Sequence, residues 1–106
     1  SPTRSTDMIT RIVLIKLTDD HATDTGRAAI VAHTKAVFDG LPGVGSFDVG
    51  VPADEHSTAA WDVIIRVHFD NLDQVKAYGI EPTHLDYVDN YLSPRAAMKK
   101  AWNFKS

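Results

Sequence analysis

Two runs dominate the chain, "IVLIKL" at Ile12–Leu17 and "VIIRVHF" at Val63–Phe69. Both are short and dense in β-branched residues, which favours strands over helices. Successive side chains of a strand point to opposite faces. Val13, Ile15 and Leu17 therefore share one face of the first strand, and Trp61, Val63, Ile65, Val67 and Phe69 one face of the other. The opposite face is not polar either. It carries Ile12, Leu14 and Ile64, with Asp62, Arg66 and His68 around them. A sheet that is apolar on both faces needs cover on both, and this requirement restricts the fold more than any other feature.

The segments between these runs supply cover for one face. From Asp24 to Gly40 the residues Ile30, Val37 and Phe38, with Leu41 beyond, recur at helical spacing; Thr23 or Asp24 is the expected cap and Gly40 the expected stop. "LPGVGSFDVGV" reads as a Pro-Gly turn and a strand over Val44–Val51, and "PADEHSTAA" as a polar loop. "DNLDQVKAYGI" reads as a short helix capped by Asn71, with Gln74 reaching back. Pro82 ends that helix near Gly79–Ile80 and suits the first turn of another. The new helix is expected to bury Leu85, Val88 and Leu92 and to stop at Ser93–Pro94; "MKKAWNFK" is a last strand with Met98, Lys100, Trp102 and Phe104 on one face.

The order is thus β-α-β-β-α-β, the signature of a ferredoxin-like α+β fold: an antiparallel sheet with helices on one face. With 106 residues the chain suits a single domain, expected over 8–106, preceded at 1–7 by a disordered tail or expression remnant. Helices in this topology leave the face of Ile12, Leu14 and Ile64 open. Each of those side chains forgoes ~1.5–3 kcal/mol of burial in water. A symmetric homodimer, sheet to sheet, is the expected solution, with His68 in an interface hydrogen-bond network; the alternative is a monomer that tolerates a modest apolar patch.

Composition narrows the function classes. A net charge of −3 and the lack of a basic stripe argue against nucleic acid and anionic membrane as partners. No apolar run approaches the roughly 20 residues of a bilayer span. The chain has no cysteine, which removes disulfides and thiolate chemistry and fits a cytoplasmic protein. Asp19, Asp20, His21 and Asp24, like Asp54, Glu55 and His56, read as solvated loops, so no metal is expected. "GLPGVG" precedes a strand and is no phosphate cradle, no nucleotide fingerprint is legible, and no cofactor is expected. His33 reads as a surface residue of the first helix, and Trp61 and Trp102 as inward-facing.

The stretch "YGIEPTHLDYV", Tyr78–Val88, carries the candidate chemistry. With Pro82 opening a helix, His84 lies in its first turn, where the helix dipole disfavours an imidazolium. A neutral imidazole is what a general base needs. His84, Val88 and Tyr91 share a helix face, so the histidine is expected to be partly buried and to point toward the sheet. Tyr78, in the last turn of the preceding helix, folds back toward the same space, where its hydroxyl would hold a carbonyl or enolate oxygen. The same residues also fit a plainer reading, a core histidine satisfied by one backbone carbonyl beside a space-filling tyrosine.

"ITRIVLIKLTDD", "GLPGVGSFDVG", "WDVIIRVHFDNLDQVKAYGIEPTHLDYVDNYL" and "AWNFK" together resemble the stress-responsive A/B barrel (Dabb) family. The resemblance covers nearly all of Met8–Lys105 and implies a dimeric α+β barrel. Most members have no established activity. One plant member, of the olivetolic acid cyclase type, is a cofactor-free polyketide cyclase that uses a histidine base and a tyrosine; they match His84 and Tyr78. The resemblance places the pocket inside each subunit, between sheet and helices, with Arg11, Trp61, Val88 and Tyr91 as expected substrate contacts. Arg11 stands where the family often has a histidine, and Glu81 where it usually has one before the proline. Arg11 would either bind a substrate carboxylate or pair with Glu81 and plug the cavity. The implied functions are small-molecule binding with cyclase or lyase chemistry, a non-catalytic stress-associated role, or the cofactor-free monooxygenase activity found elsewhere on this barrel.

Overall fold

The computed structural model describes residues 8–105, and the expectation for residues 1–7 lies outside the described residues. The elements are β1 (Ile9–Leu17), α1 (Asp24–Asp39), β2 (Ser46–Gly50), α2 (Glu55–Ala60), β3 (Val63–Phe69), α3 (Leu72–Ile80), α4 (Pro82–Asp86) and β4 (Ala96–Lys105). A π-helical segment, Tyr87–Leu92, and a 3-10 turn, Ser93–Arg95, join α4 to β4. The sheet is antiparallel with strand order β2-β3-β1-β4, the ferredoxin-like arrangement, and the two strongest β runs are its centre.

Register follows the alternation of the side chains. Ile9 pairs with Phe69, Val13 with Ile65 and Ile15 with Val63. Paired residues point to the same side of an antiparallel ladder, so these side chains form one apolar layer. It is closed by Ile30 and Phe38 of α1 and Tyr78 of α3, all buried. The caps follow the expected chemistry. The Thr23 side chain accepts from the Gly26 amide, and Asn71 from the Gln74 amide, while Gln74 Oε1 accepts from the amide of Asp70. Gly26 is required by close approach: a Cβ there would lie 2.0 Å from the His21 carbonyl oxygen.

Four expectations are corrected. The polar loop contains α2, because Asp54 accepts from the Ser57 amide at 2.7 Å and caps an alanine-ended turn. The third strand begins at Val63, not Trp61, and Asp62 turns inward. The Asp62 carboxylate is fully buried; it accepts from the Leu17 amide at 2.8 Å and from Arg27 Nε at 3.0 Å, with Lys16 Nζ at 3.4 Å. Leu85 is exposed rather than buried, since the π-helical winding after α4 turns Tyr87 and Leu92 to the core in its place. Trp102 pairs with Ile12, which puts it on the open face of the sheet, where it is 47% exposed.

That open face extends beyond the expected aliphatics. Leu14 pairs with Ile64 and with Lys100, and Thr10 with Phe104, so Met98, Trp102 and Phe104 continue the strip made by Ile12, Leu14 and Ile64. His68 Nδ1 lies 3.2 Å from Thr10 Oγ1 on this face, and Arg66 makes a two-pronged contact with Asp48, both bonds 2.9 Å. All the helices that build the core lie on the other side.

Candidate functional site

Between the sheet and the helices lies a cavity of about 190 Å³. Its floor is Val13 and Ile65, and Phe38, Tyr78, His84 and Val88 line it from the helices. Arg11 enters from β1, and Lys99–Ala101 of β4 border it. Each position has a local cause. Arg11 is on the inward face because it pairs with Val67 in the central ladder. His84 is set by the chain break: Glu81 is extended ahead of Pro82, and its carboxylate accepts from the Thr83 amide at 3.0 Å, capping α4. Glu81 is thus a helix cap and does not plug the cavity. The Arg11 guanidinium instead donates to the Asn103 side-chain oxygen at 3.0 Å.

Tyr78 and His84 meet as expected. Their ring centroids are 4.0 Å apart, tilted by 39°. Tyr78 is buried and held edge-on by Phe69, centroid to centroid 5.1 Å, and by Phe38 at 6.0 Å. His84 Nδ1 is buried and has no hydrogen-bond partner among the described residues. Burial, helped by the nearby Arg11 charge, lowers the His84 pKa; the Gly79 backbone, Asp89 and Glu81 pull the other way. Burial raises the Tyr78 pKa and Tyr87 adds to this, while Arg11 opposes it. The result at neutral pH is a neutral imidazole beside a protonated phenol, with a guanidinium close to both.

Of the remaining site candidates, Val88 lines this cavity, and Trp61 and Tyr91 do not. Trp61 borders a separate, more open pocket of about 380 Å³ with Leu14, Val51, His56 and Ile64. Tyr91 stacks on His33 with ring centroids 3.7 Å apart, and the Arg95 guanidinium lies 4.1 Å from its ring centre. The π-helical segment explains this, since its wider turn carries Tyr91 off the face shared by His84 and Val88. Sequence reasoning missed Tyr87, which lines the cavity and meets Thr34 Oγ1 at 2.5 Å. Burial pushes its pKa up to about 12, Tyr91 adding and Thr34 opposing. A signal was available: Thr34 sits between Ile30 and Phe38 at four-residue spacing, a polar residue in a helix's apolar stripe. Among the described residues no three His, Asp or Glu side chains gather as a metal site, and no helix is long and apolar enough to cross a membrane.

The family model for the stress responsive A/B barrel domain, Dabb, matches residues 9–99. The chain belongs to this family. No curated protein matches the Dabb chain in sequence. Solved structures share its fold. A dimeric protein of unknown function from Bacteroides fragilis is 25% identical, covering 93% of this chain and 96% of its own, with a TM-score of 0.76. A dimeric ferredoxin-like protein from Thermobifida fusca is 17% identical, with 100% and 97% covered and a TM-score of 0.80. A hydroxynitrile lyase from Passiflora edulis is 10% identical, with 96% and 95% covered and a TM-score of 0.78. The last two likenesses show the fold alone.

Proposed function

We propose that this Dabb chain is a homodimer in which each subunit binds a small, partly apolar molecule and performs cofactor-free proton transfer of the cyclase or lyase type. In this reading His84 Nδ1 takes a proton from the carbon beside a substrate carbonyl. The electron pair moves into the carbonyl, and the Tyr78 hydroxyl donates a hydrogen bond to the oxygen that becomes negative. One observation carries the reading: a buried imidazole nitrogen without a protein partner sits at a cavity, against a buried tyrosine. Buried polar atoms are nearly always paired, and an exception asks for a reason. A backbone hydrogen bond to Gly79 is what the plainer core-histidine reading asks for, but that reading leaves the partnerless Nδ1 at the cavity without a reason.

Size and lining agree. Cavities of about 150 Å³ hold benzene, so about 190 Å³ admits a ring with a few substituents. The dimer places two open sheet faces together and covers the strip from Leu14 to Trp102. The Bacteroides and Thermobifida relatives, both dimeric, are consistent with it. The lyase neighbour is consistent with chemistry on this fold, but fold does not assign function.

The test uses acetophenone as a probe ketone, with exchange of its methyl hydrogens in D2O followed by NMR. Wild-type protein should accelerate exchange, and His84→Ala should abolish the acceleration with little change in melting temperature. A large fall in melting temperature with ligand binding intact would instead make His84 a core residue.

A further inference from the structure

The charge around the cavity is one-sided. Arg11 and Lys99 both lie on inward positions of their strands and border it; among the described residues no aspartate or glutamate lines it, Glu81 and Asp89 acting on His84 from outside. Elsewhere among the described residues, Arg27 and Lys16 share Asp62 and Arg66 holds Asp48, while half-buried Arg95 rests on the Tyr91 carbonyl and ring. Among the described residues Arg11 and Lys99 make no pair with a carboxylate. Arg11 donates to the neutral amide of Asn103 at 3.0 Å, and Lys99 Nζ to the Ser93 hydroxyl at 2.7 Å. A guanidinium offers five donors in a planar fork suited to a carboxylate. Arg11 is half-buried beside Val13 and Phe38, a setting in which an unpaired charge is costly.

Resting on the cavity reading above, we propose that the substrate is a small carboxylate of about benzoate size. Its anion would pair with Arg11, and a neighbouring carbonyl or hydroxyl would meet Tyr78 and His84. Placement of the anion follows from the register. Arg11 opposes Asn103 and Val13 opposes Ala101, while Lys99 lies further along, opposite Ile15. Arg11 is also the cation whose field reaches both Tyr78 and His84. The anion therefore belongs at the Arg11 end, close to the reacting pair, and Lys99 adds positive potential at the far end. The aliphatic floor and the rings of Phe38 and Tyr78 take the apolar body. The preferred substrate class is then an oxo- or hydroxy-substituted acid, with a neutral ketone such as acetophenone a weaker surrogate that lacks the anion.

Benzoate and benzamide, alike in shape and different in charge, separate the possibilities when titrated into the protein and followed by NMR. Benzoate should shift the His84 and Tyr78 signals saturably and bind at least about 10-fold more tightly than benzamide, as charge-assisted hydrogen bonds predict. Arg11→Gln should remove that preference, bringing benzoate affinity down to that of benzamide, with an unchanged melting temperature reporting an intact fold. Equal binding of the two probes to wild-type protein overturns the carboxylate assignment, and that comparison needs no variant. So does a preference that survives Arg11→Gln. Benzamide binding at His84 without benzoate sinks this inference and leaves the cavity reading standing; if neither probe reaches His84, both fall.

Discussion

His84 shows how one side chain is tuned by where the chain breaks. Pro82 stops one helix and starts the next, Glu81 caps the new one, and the imidazole is left facing Tyr78. This much was legible, because proline geometry and capping are local. The inward position of Arg11 was legible too, from the alternation of β1. Phe38 and Tyr87 as cavity walls were not, since they depend on how α1 docks against the segment after α4. A pH dependence follows from the lowered His84 pKa. The folded protein holds this imidazole neutral, whereas the unfolded chain protonates it near its ordinary value of 6.5. Between the folded pKa and 6.5 the unfolded state binds more protons, so stability is lost as pH falls through that window. The wild-type melting temperature should therefore drop between about pH 7.5 and 5. In His84→Gln the drop should be smaller, and thermal scans of the two proteins over this range read the difference directly. Identical pH profiles would mean that the imidazole is not held neutral by the fold.

At the scale of the element, two departures from regular structure decide what reaches the cavity. The π-helical segment Tyr87–Leu92 adds a residue to the turn, which brings Tyr87 inward and hands Tyr91 to His33. A 3.6-residue period applied to the sequence cannot foresee this and puts Tyr91 on the face of His84 and Val88. At the start of β3, Asp62 departs from strand alternation because its carboxylate answers Arg27 and the Leu17 amide, tying α1 to the end of β1. Alternation holds only inside a paired ladder, and Trp61 and Asp62 precede the first paired residue, Val63, so it places neither of them. The buried carboxylate makes a strong prediction. Asp62→Ala leaves the Leu17 amide without its acceptor and a mostly buried Arg27 with only the exposed Asp24 carboxylate, and breaking a buried pair in this way costs about 3–5 kcal/mol. Denaturant unfolding should show a loss of that size. A loss under about 1 kcal/mol, the level typical of exposed pairs, would mean that water replaces the carboxylate freely.

For the whole molecule the open question is the uncovered sheet face. The helix-side layer closes on itself, with Ile15, Val63, Ile65, Val67 and Phe69 at most 1% exposed. The opposite side keeps Met98, Trp102 and Phe104 about half exposed, at 51%, 47% and 52%. Sequence alternation anticipated the centre of this strip in Ile12, Leu14 and Ile64. It did not anticipate the β4 aromatics, whose side depends on the pairing of Ile12 with Trp102. An apolar strip of this kind, interrupted on β4 by Lys100, marks an interaction face on a small protein. A twofold partner of the same chain fits it, because each copy offers the same strip. In a twofold dimer any change at the interface is made twice. Ile64 stands at the centre of the face, beside Leu14, and in a lone subunit a lysine there could extend its amine into water. Ile64→Lys should therefore leave the subunit folded, and the dimer should bury two unpaired charges, costing several kcal/mol each. Light scattering behind a sizing column is expected to read the mass of two chains for the wild type and of one for the variant, with unchanged circular dichroism. A wild-type protein that runs as one chain, or a variant that still runs as two, would place the subunit contact elsewhere and leave the strip without its proposed partner.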